Sequence, residues 1–264
     1  MREKILIMVV VGLLVNLCAL NVYAQEEESQ SQLFFIYEAV VKPSMVGKYE
    51  EATKSLAAKL KANNMTSISY LMAVTDDFHY YWISEIENLA ALDEDPWQEL
   101  EKKMGDEEWK AMLDGYDETT DMSHTWLARL RPDLSYTPEN AGGNSEGMNF
   151  RHWDWYYIEP GKRAEARAIA KEWHDLYTKK NIQSSYRIFT GGLGTEQPLY
   201  VVLQSAKNAA DFEANNAKVN ELLGEDAEEL MQRTMAITRK FETKTGWMRP
   251  DLSYTPSEEM TAKE

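Results

Sequence analysis

The sequence predicts an α+β fold made of two tandem copies of one βαββαβ unit. The octapeptide Arg131-Pro132-Asp133-Leu134-Ser135-Tyr136-Thr137-Pro138 recurs unchanged at residues 249–256, a spacing of 118 residues. Strand-like and helix-like segments follow one another in the same order before each copy, and a segment rich in Gly, Asn, Ser and Glu separates the copies. A repeat at this spacing is typical of domain duplication and not of a solenoid.

The first unit begins with an apolar, aromatic and β-branched strand at 33–41. Residues 47–63 follow as an amphipathic helix, because apolar residues recur there at helical spacing. The remaining predicted elements are strands at 67–74 and 79–85, helical segments at 88–92, 96–104 and 106–116, and a strand at 120–130 that Pro132 ends.

The second unit repeats this order. Its predicted elements are strands at 150–158, 184–190, 199–204 and 241–248, and helices at 161–180 and 208–238. Val41-Lys42-Pro43 matches Ile158-Glu159-Pro160 at a shift of 117, and Tyr81-Trp82-Ile83 matches Tyr200-Val201-Val202 at a shift of 119. The sequence therefore predicts a first repeat at 33–138, a linker at 139–147, a second repeat at 148–256 and a tail at 257–264.

This element order, with the turns Pro43-Ser44 and Pro160-Gly161 after the first strands, resembles the dimeric α+β barrel superfamily. The resemblance covers most of the chain after the N-terminal segment. It implies tandem ferredoxin-like units that form an intrachain pseudo-dimeric antiparallel barrel with outer helices. The superfamily includes small monooxygenases, haem-degrading enzymes, dye-type peroxidases and isomerases, so the resemblance implies a fold and not one function.

The N-terminal residues have the features of a signal peptide. Arg2 and Lys4 precede an apolar stretch, and Val22-Tyr23-Ala24 places small residues where a signal peptidase cuts. We expect residues 1–24 to be removed, residues 25–32 to be disordered, and the protein to be periplasmic or secreted. An uncleaved anchor and a lipoprotein lipidated at Cys18 are the alternatives.

Composition limits the partners of the mature chain. Cys18 is the only cysteine, so cleavage leaves neither a disulfide nor a cysteine metal site. Loss of Arg2, Glu3 and Lys4 leaves 26 basic and 43 acidic residues, a formal charge of −17. Such a surface repels nucleic acid and anionic lipid. The sequence predicts no membrane span after cleavage, and a monomer or weak homo-oligomer.

No cofactor and no metal ion are predicted. The acidic clusters lack the spacing of an EF-hand loop. Gly191-Gly192-Leu193-Gly194 joins two strands and therefore indicates a hairpin loop and not a phosphate loop. Asp76-Asp77-Phe78-His79 is interpreted as a solvated turn.

The strand at 150–158 carries the clearest polar pair. Alternation places His152, Asp154 and Tyr156 on one face, and Trp153, Trp155 and Tyr157 on the other. Because bulky rings suit the helix-facing side, we expect His152 and Asp154 to point into the barrel, where an aspartate-oriented histidine is a candidate base. A pair that only satisfies its own hydrogen bonds is the alternative. The matching positions in the first repeat are Phe35 and Tyr37.

His124 and Trp126 lie on one face of the strand at 120–130, beside the first strand, and are expected to share a cavity with Tyr37. A histidine and a tryptophan in this position resemble the haem-degrading members. Those members also need an asparagine on the first strand, which neither Tyr37 nor Glu38 supplies. The candidate catalytic residues are therefore His152, Asp154, His124 and Tyr37, and the candidate ligand-pocket residues are Phe35, Trp126 and Tyr156.

The repeated octapeptide is interpreted as a structural clasp, because its proline ends the strand and its leucine and tyrosine can pack against the barrel. The 29 aromatic residues suit both a packed core and an aromatic cavity. We therefore predict an exported protein that binds a small aromatic or apolar molecule between the two sheets. The alternatives are a cofactor-independent monooxygenase or isomerase and a non-catalytic protein-interaction module.

Overall fold

The computed structural model describes residues 31–138 and 147–257. The predicted signal peptide, Cys18, and most of the predicted N-terminal segment, linker and tail lie outside the described residues, so export stays a prediction. The described residues from Gln32 onward form one compact unit. Within this part of the chain, no helix is long and apolar enough to cross a membrane.

Eight strands close into one barrel. They are β1 (Leu33–Val41), β2 (Leu71–Thr75), β3 (His79–Ile86), β4 (Thr120–Leu130), β5 (Phe150–Ile158), β6 (Arg187–Gly191), β7 (Leu199–Ala206) and β8 (Thr238–Met248). Their order around the barrel is β1-β3-β2-β8-β5-β7-β6-β4. All eight neighbouring pairs are antiparallel. The predicted α+β barrel of two ferredoxin-like units is confirmed.

Six helices surround the barrel in the described chain. They are α1 (Val46–Ala62), α2 (Gln98–Met104), α3 (Asp106–Thr119), α4 (Arg163–Lys179), α5 (Ala209–Leu223) and α6 (Glu225–Ala236). Short 3-10 helices occur at Pro43–Met45 and Leu89–Asp93. Each half has a large apolar cluster to which its helices contribute residues, whereas the cluster around Ile36 and Trp126 consists of strand residues alone. That third cluster is the barrel interior.

Several predicted boundaries differ from the observed ones, and the strand predicted at 184–190 lies at Arg187–Gly191. The single helix expected at 208–238 is divided by Gly224, whose φ of 61° is unfavourable for residues with a Cβ. The strand β8 then begins at Thr238, three residues earlier than expected. The strand expected from Ser67 begins at Leu71, because Tyr70 makes only an isolated bridge to Tyr254.

The loop after β6 is a hairpin loop, as predicted, and it also joins the two halves. Leu127 on β4 donates its N–H to the Leu193 carbonyl at 2.9 Å and accepts the Gly192 N–H at 2.7 Å. A Cβ on Gly194 would lie 2.3 Å from the Thr125 carbonyl oxygen. Glycine therefore permits the loop to lie directly on β4.

The first octapeptide docks on the second half of the chain. Leu134 is fully buried in the cluster between the second-half sheet and its helices. The Ser135 hydroxyl accepts the Ile188 N–H at 2.9 Å. The Tyr136 hydroxyl donates to the Ile182 carbonyl at 2.8 Å. The first half therefore supplies part of the core of the second half.

The second octapeptide makes the reciprocal contacts. Leu252 is fully buried in the first-half cluster. The Ser253 hydroxyl accepts the Met72 N–H at 2.8 Å, and the Tyr254 hydroxyl donates to the Met65 carbonyl at 2.7 Å. The serine and tyrosine hydroxyls of both copies therefore make equivalent hydrogen bonds to the opposite half, as expected for a structural clasp.

Ion pairs extend the two clasps in different ways. Arg249 pairs with Asp251 at 2.8 Å and with Glu50 on α1 at 2.8 Å. Hydrogen bonds from Arg249 lower the pKa of Asp251 to about 2. In the first copy the additional partner is Arg167 on α4, which lies 3.4 Å from Asp133. Glu50 and Arg167 are each the fifth residue of their helix, so one position carries opposite charges in the two halves.

The exchanged leucines should each contribute strongly to stability. We expect Leu134→Ala and Leu252→Ala each to lower the free energy of unfolding by about 2–5 kcal/mol, the usual cost of truncating a buried leucine. Urea unfolding followed by circular dichroism measures this. Leu193→Ala is the matched control, because Leu193 is 66% exposed and should lose little. Equal, small losses in all three variants would contradict the clasp.

Candidate functional site

A cavity of about 790 Å³ lies in the second half, between the sheet and helices α4 to α6. We call it the second-half cavity. Its apolar wall is formed by residues of every surrounding element: Tyr156, Ile158, Ala166, Ile169, Ala170, Trp173, Tyr177, Tyr186, Ile188, Tyr200, Val202, Phe212, Leu223, Ala227, Met231 and Ile237. A pocket of this size and character is typical of small-molecule sites.

The same space in the first half is filled by three aromatic rings. Trp82 donates its indole N–H to the Tyr49 hydroxyl at 2.8 Å. The Tyr116 ring lies 5.4 Å from that of Tyr49 and 6.0 Å from that of Trp82. These rings pack between α1, α3 and the sheet, so the first half has a closed core there.

Small residues occupy two of the equivalent positions in the second half. Helices α1 and α4 both have 17 residues, and Tyr49 corresponds to Ala166 in this alignment. Tyr37 pairs with Trp82 in the first half, and its counterpart Asp154 pairs with Val202. Trp82 therefore corresponds to Val202, and the sequence match that aligned it with Val201 is wrong by one residue.

The third ring is also replaced. The Lys42 N–H bonds to the Thr119 carbonyl, and the equivalent Glu159 N–H bonds to the Ile237 carbonyl, which places Thr234 at the position of Tyr116. Two other exchanges place larger side chains in the second half. Trp173 and Tyr177 occupy the positions of Leu56 and Leu60 in the first half. Trp173 donates its indole N–H to Thr234 at 3.1 Å and lies on the cavity wall. The cavity thus remains open with new rings on its wall.

His152 and Asp154 form a hydrogen-bonded pair at this cavity. His152 Nε2 lies 3.1 Å from Asp154 Oδ1, and the Thr243 hydroxyl donates to the same carboxylate oxygen at 2.8 Å. The imidazole also stacks on Phe212, with ring centroids 4.3 Å apart and planes 18° apart. Contacts on two sides therefore fix the orientation of His152.

The pair leaves one imidazole nitrogen available. An ionised Asp154 only accepts hydrogen bonds, so a neutral His152 carries its proton on Nε2 and its lone pair on Nδ1. His152 Nδ1 is buried and has no hydrogen-bond partner in the described chain. The Tyr186 hydroxyl, also on the cavity wall, is buried without a partner as well. Burial, followed by the effect of Tyr177, raises the pKa of Tyr186, so this hydroxyl stays protonated.

The charged residues of the cavity wall are both acidic. They are Asp154 on β5 and Glu228 on α6, and side-chain amides of Gln204, Asn216 and Asn220 lie among them. Burial raises the pKa of Tyr177, another wall residue, to about 12, so it too remains neutral. The charged side chains that line the cavity directly are acidic, which favours an uncharged or cationic ligand over an anion.

The prediction groups the residues of β5 on the correct faces, but it assigns the wrong face to the barrel interior. His152, Asp154 and Tyr156 share a face, but that face lines the second-half cavity outside the barrel. Trp153 and Trp155 instead pack in the barrel interior. The physical reason is that eight strands enclose a space that needs large rings to fill it.

Two further candidates lie away from the expected cavity. Tyr37 is on the helix-facing side of β1, opposite Trp82, and is 37% exposed. Phe35 shares that side by alternation, because Phe34 and Ile36 pack in the barrel interior. Neither residue lines the second-half cavity.

His124 and Trp126 share a face, as predicted, and both line a separate cavity of about 530 Å³ at one end of the barrel. We call it the barrel-end cavity. The sequence interpretation missed Glu38 and Tyr81, which line it with them. The resemblance to haem-degrading members draws attention to Glu38 only because it is not the asparagine that those members need. An acidic residue within the apolar strand β1 was the signal that could have identified it.

The turn at Asp76 and Asp77 is held by protein groups. Asp77 accepts the Thr75 hydroxyl at 2.5 Å and pairs with Lys244 at 3.1 Å. Asp76 accepts the Thr245 hydroxyl. Across residues 31–138 and 147–257, no group of three or more His, Cys, Asp or Glu residues is arranged to hold a metal ion.

Comparison with known proteins gives a fold. No protein-family model matches the sequence, and no curated protein matches it. An anthrone oxidase-like protein of known structure is similar with a TM-score of 0.55 at 14% identity, over 83% of this chain and 91% of that chain. A mutant chlorite dismutase from Candidatus Nitrospira defluvii is similar with a TM-score of 0.48 at 12% identity, over 88% of this chain and 94% of that chain. The chain has the dimeric α+β barrel fold, and one polypeptide forms the whole barrel.

The contrast between the two halves is testable by stability. We expect Tyr49→Ala to lower the free energy of unfolding by about 3–5 kcal/mol, because it removes a fully buried ring. Tyr37→Ala is the matched control and should cost about 1 kcal/mol, since Tyr37 is partly exposed. Chemical denaturation measures both. Similar losses in the two variants would mean that Tyr49 does not close the first-half core.

Proposed function

We propose that the chain binds a small, flat, mainly apolar molecule in the second-half cavity. The observation that carries this proposal is the replacement of Tyr49, Trp82 and Tyr116 in the first half by Ala166, Val202 and Thr234 in the second. Covering the apolar wall with a ligand would contribute roughly 25 cal/mol per Å² removed from water. The predicted signal peptide of residues 1–24 supports a role outside the cytoplasm.

The unpartnered polar atoms define what such a ligand should carry. His152 Nδ1 can accept a hydrogen bond, and the Tyr186 hydroxyl can donate one. A hydroxyl or carbonyl group on an otherwise apolar ring system would match both. The acidic wall residues Asp154 and Glu228 favour an uncharged or cationic molecule over an anion.

The location differs from the one expected from the sequence. Aromatic rings fill much of the space between the two sheets. The ring centroids of Trp126 and Trp155 are 5.5 Å apart, and those of Phe34 and Phe189 are 5.9 Å apart. The space between the second-half sheet and its helices is larger. A cavity of about 790 Å³ supports ligand binding over a packed interaction module.

A base-catalysed reaction without a cofactor is the second candidate function. The observation that favours it is the His152–Asp154 hydrogen bond with Nδ1 left free of protein partners. In such a reaction His152 takes a proton from the bound ligand, and Asp154 stabilises the imidazolium that forms. An isomerase or a cofactor-independent monooxygenase could begin with this step.

Binding can be tested with two dyes that share one ring system. We expect N-phenyl-1-naphthylamine, which is uncharged, to gain fluorescence saturably with the protein. We expect 8-anilino-1-naphthalenesulfonate to bind at least about tenfold more weakly, because its sulfonate meets Asp154 and Glu228. Fluorescence titration measures both affinities. Equal affinity for the two dyes would contradict the electrostatic part of the proposal.

A variant that fills the cavity tests its location. Ala166→Tyr restores the first-half residue and should abolish binding of N-phenyl-1-naphthylamine. Ala164→Tyr is the control, because Ala164 is exposed on the same helix and should leave binding unchanged. Val202→Trp repeats the test if Ala166→Tyr does not fold, as judged by circular dichroism. Unchanged dye binding in a folded Ala166→Tyr variant would place the dye elsewhere.

The base can be tested with a flat probe substrate. Elimination of 5-nitrobenzisoxazole requires a base to take its ring C–H proton as the N–O bond breaks, and the product is a coloured phenolate. We expect His152→Phe, which installs the first-half residue, to lower this rate at least about 100-fold. Asp154→Asn should lower it less. The affinity of each variant for N-phenyl-1-naphthylamine is the control for an intact cavity. A wild-type elimination rate in His152→Phe would contradict the role of His152 as a base and leave ligand binding as the proposed function.

A further inference from the structure

The barrel-end cavity is separate from the second-half cavity. The strand β5 divides them, because Asp154 lines one and its neighbour Trp155 lines the other. Four aromatic side chains form much of the barrel-end wall: Tyr81, Trp126, Trp155 and Tyr157. Aromatic side chains at a cavity wall can attract a cation to their faces.

A buried carboxylate lies at this cavity. The Glu38 side chain is 13% exposed. It accepts the Trp126 indole N–H at 3.2 Å, and its other oxygen lies 2.5 Å from His79 Nδ1. His124 Nδ1 is 3.9 Å from Glu38, while its Nε2 bonds to the Gly194 carbonyl at 2.7 Å. A carboxylate oxygen accepts more than one hydrogen bond, so Glu38 retains capacity for a ligand donor.

Tyr81, opposite Glu38 on the neighbouring strand, adds a buried polar group to this cavity. It is only 6% exposed, and its hydroxyl is buried near the Thr75 hydroxyl and the Glu38 carboxylate without a hydrogen bond of regular geometry. Burial, followed by the negative charges of Glu38 and Asp77, raises the pKa of Tyr81, so the hydroxyl is protonated. Because this buried hydroxyl lacks a well-formed hydrogen bond, a polar ligand in the cavity can provide one.

The wall already attracts cations from the protein itself. Lys240 Nζ lies 4.4 Å from the centroid of the Tyr157 ring, and the Arg239 guanidinium lies 5.6 Å from it. Glu196 and Glu242 also line the cavity and pair with Lys240 at 3.4 Å and 3.2 Å. Glu38, the third carboxylate of this wall, lies beside His79, and Lys244 pairs with Asp77 at 3.1 Å.

We propose that the barrel-end cavity binds a small organic cation, of the alkylammonium or quaternary ammonium class. The aromatic rings face its apolar groups, and Glu38 balances its charge. The proposal is independent of the function proposed for the second-half cavity, since the two cavities share no lining residue.

A pair of isosteric probes tests the charge directly. Choline carries a quaternary nitrogen where 3,3-dimethylbutan-1-ol has a carbon, and the two molecules are otherwise alike. We expect choline to bind with a Kd of about 1 mM, and the alcohol to bind at least about tenfold more weakly. Titration followed by the indole N–H NMR signals measures both, with Trp126→Phe and Trp155→Phe assigning the signals. Equal affinity for the two probes, or no shift of these two signals, would overturn the proposal.

Variants separate this site from the other one. Glu38→Gln keeps the side-chain shape and should weaken choline binding about tenfold. Tyr157→Leu should also weaken it, and it serves if Glu38→Gln does not fold. Lys240→Met should strengthen binding about threefold, because it frees the Tyr157 ring. His152→Phe is the matched control and should leave choline binding unchanged, whatever it does at the second-half cavity. Wild-type choline affinity in folded Glu38→Gln and Tyr157→Leu variants would overturn the proposal.

Discussion

The reciprocal exchange of the two octapeptides is the constraint on which the rest of the structure depends. Each half lacks a core leucine that only the other half supplies, since Leu134 is buried in the second half and Leu252 in the first. The strand pairs β2–β8 and β4–β6 also join the halves and close the barrel. Neither core is complete alone, so the halves must fold as one unit. The ion partners Glu50 and Arg167 carry opposite charge and distinguish the two docking surfaces.

The clasps and the barrel hold the two halves in the same arrangement of strands and helices. The side chains between the sheet and the helices can therefore differ between the two halves. The first half fills that space with mutually contacting rings, which is the stable arrangement. The second half gives up three of those rings and retains a cavity of about 790 Å³. Open apolar volume reduces stability unless a ligand covers it. A duplicated fold can tolerate this loss when its closed half and the exchanged leucines hold the frame together.

The sequence predicted the strands and the barrel more accurately than the positions of the two cavities. Patterns local to one strand gave β1, β4 and β5 their observed bounds, and alternation correctly grouped His152 with Asp154. Alternation cannot say which side of a sheet a face meets, and the rings of Trp153 and Trp155 suited both sides. The barrel-end site joins Glu38, Tyr81 and Trp126 from three strands, so no single segment contains its pattern. The register of β7 likewise required the observed pairing of Asp154 with Val202.

Each of the two cavities contains a largely buried carboxylate, Asp154 on β5 in one and Glu38 on β1 in the other. Asp154 and Glu38 have side chains 20% and 13% exposed, so each carboxylate is largely removed from water. Burying a carboxylate is costly unless donors compensate, and Thr243 and Trp126 each provide one donor. A ligand with a hydroxyl or an ammonium group would add a donor to either site, whereas an anion would add repulsion. The two cavities therefore differ in shape but share one electrostatic preference, and it agrees with the net charge of −16 for the whole chain.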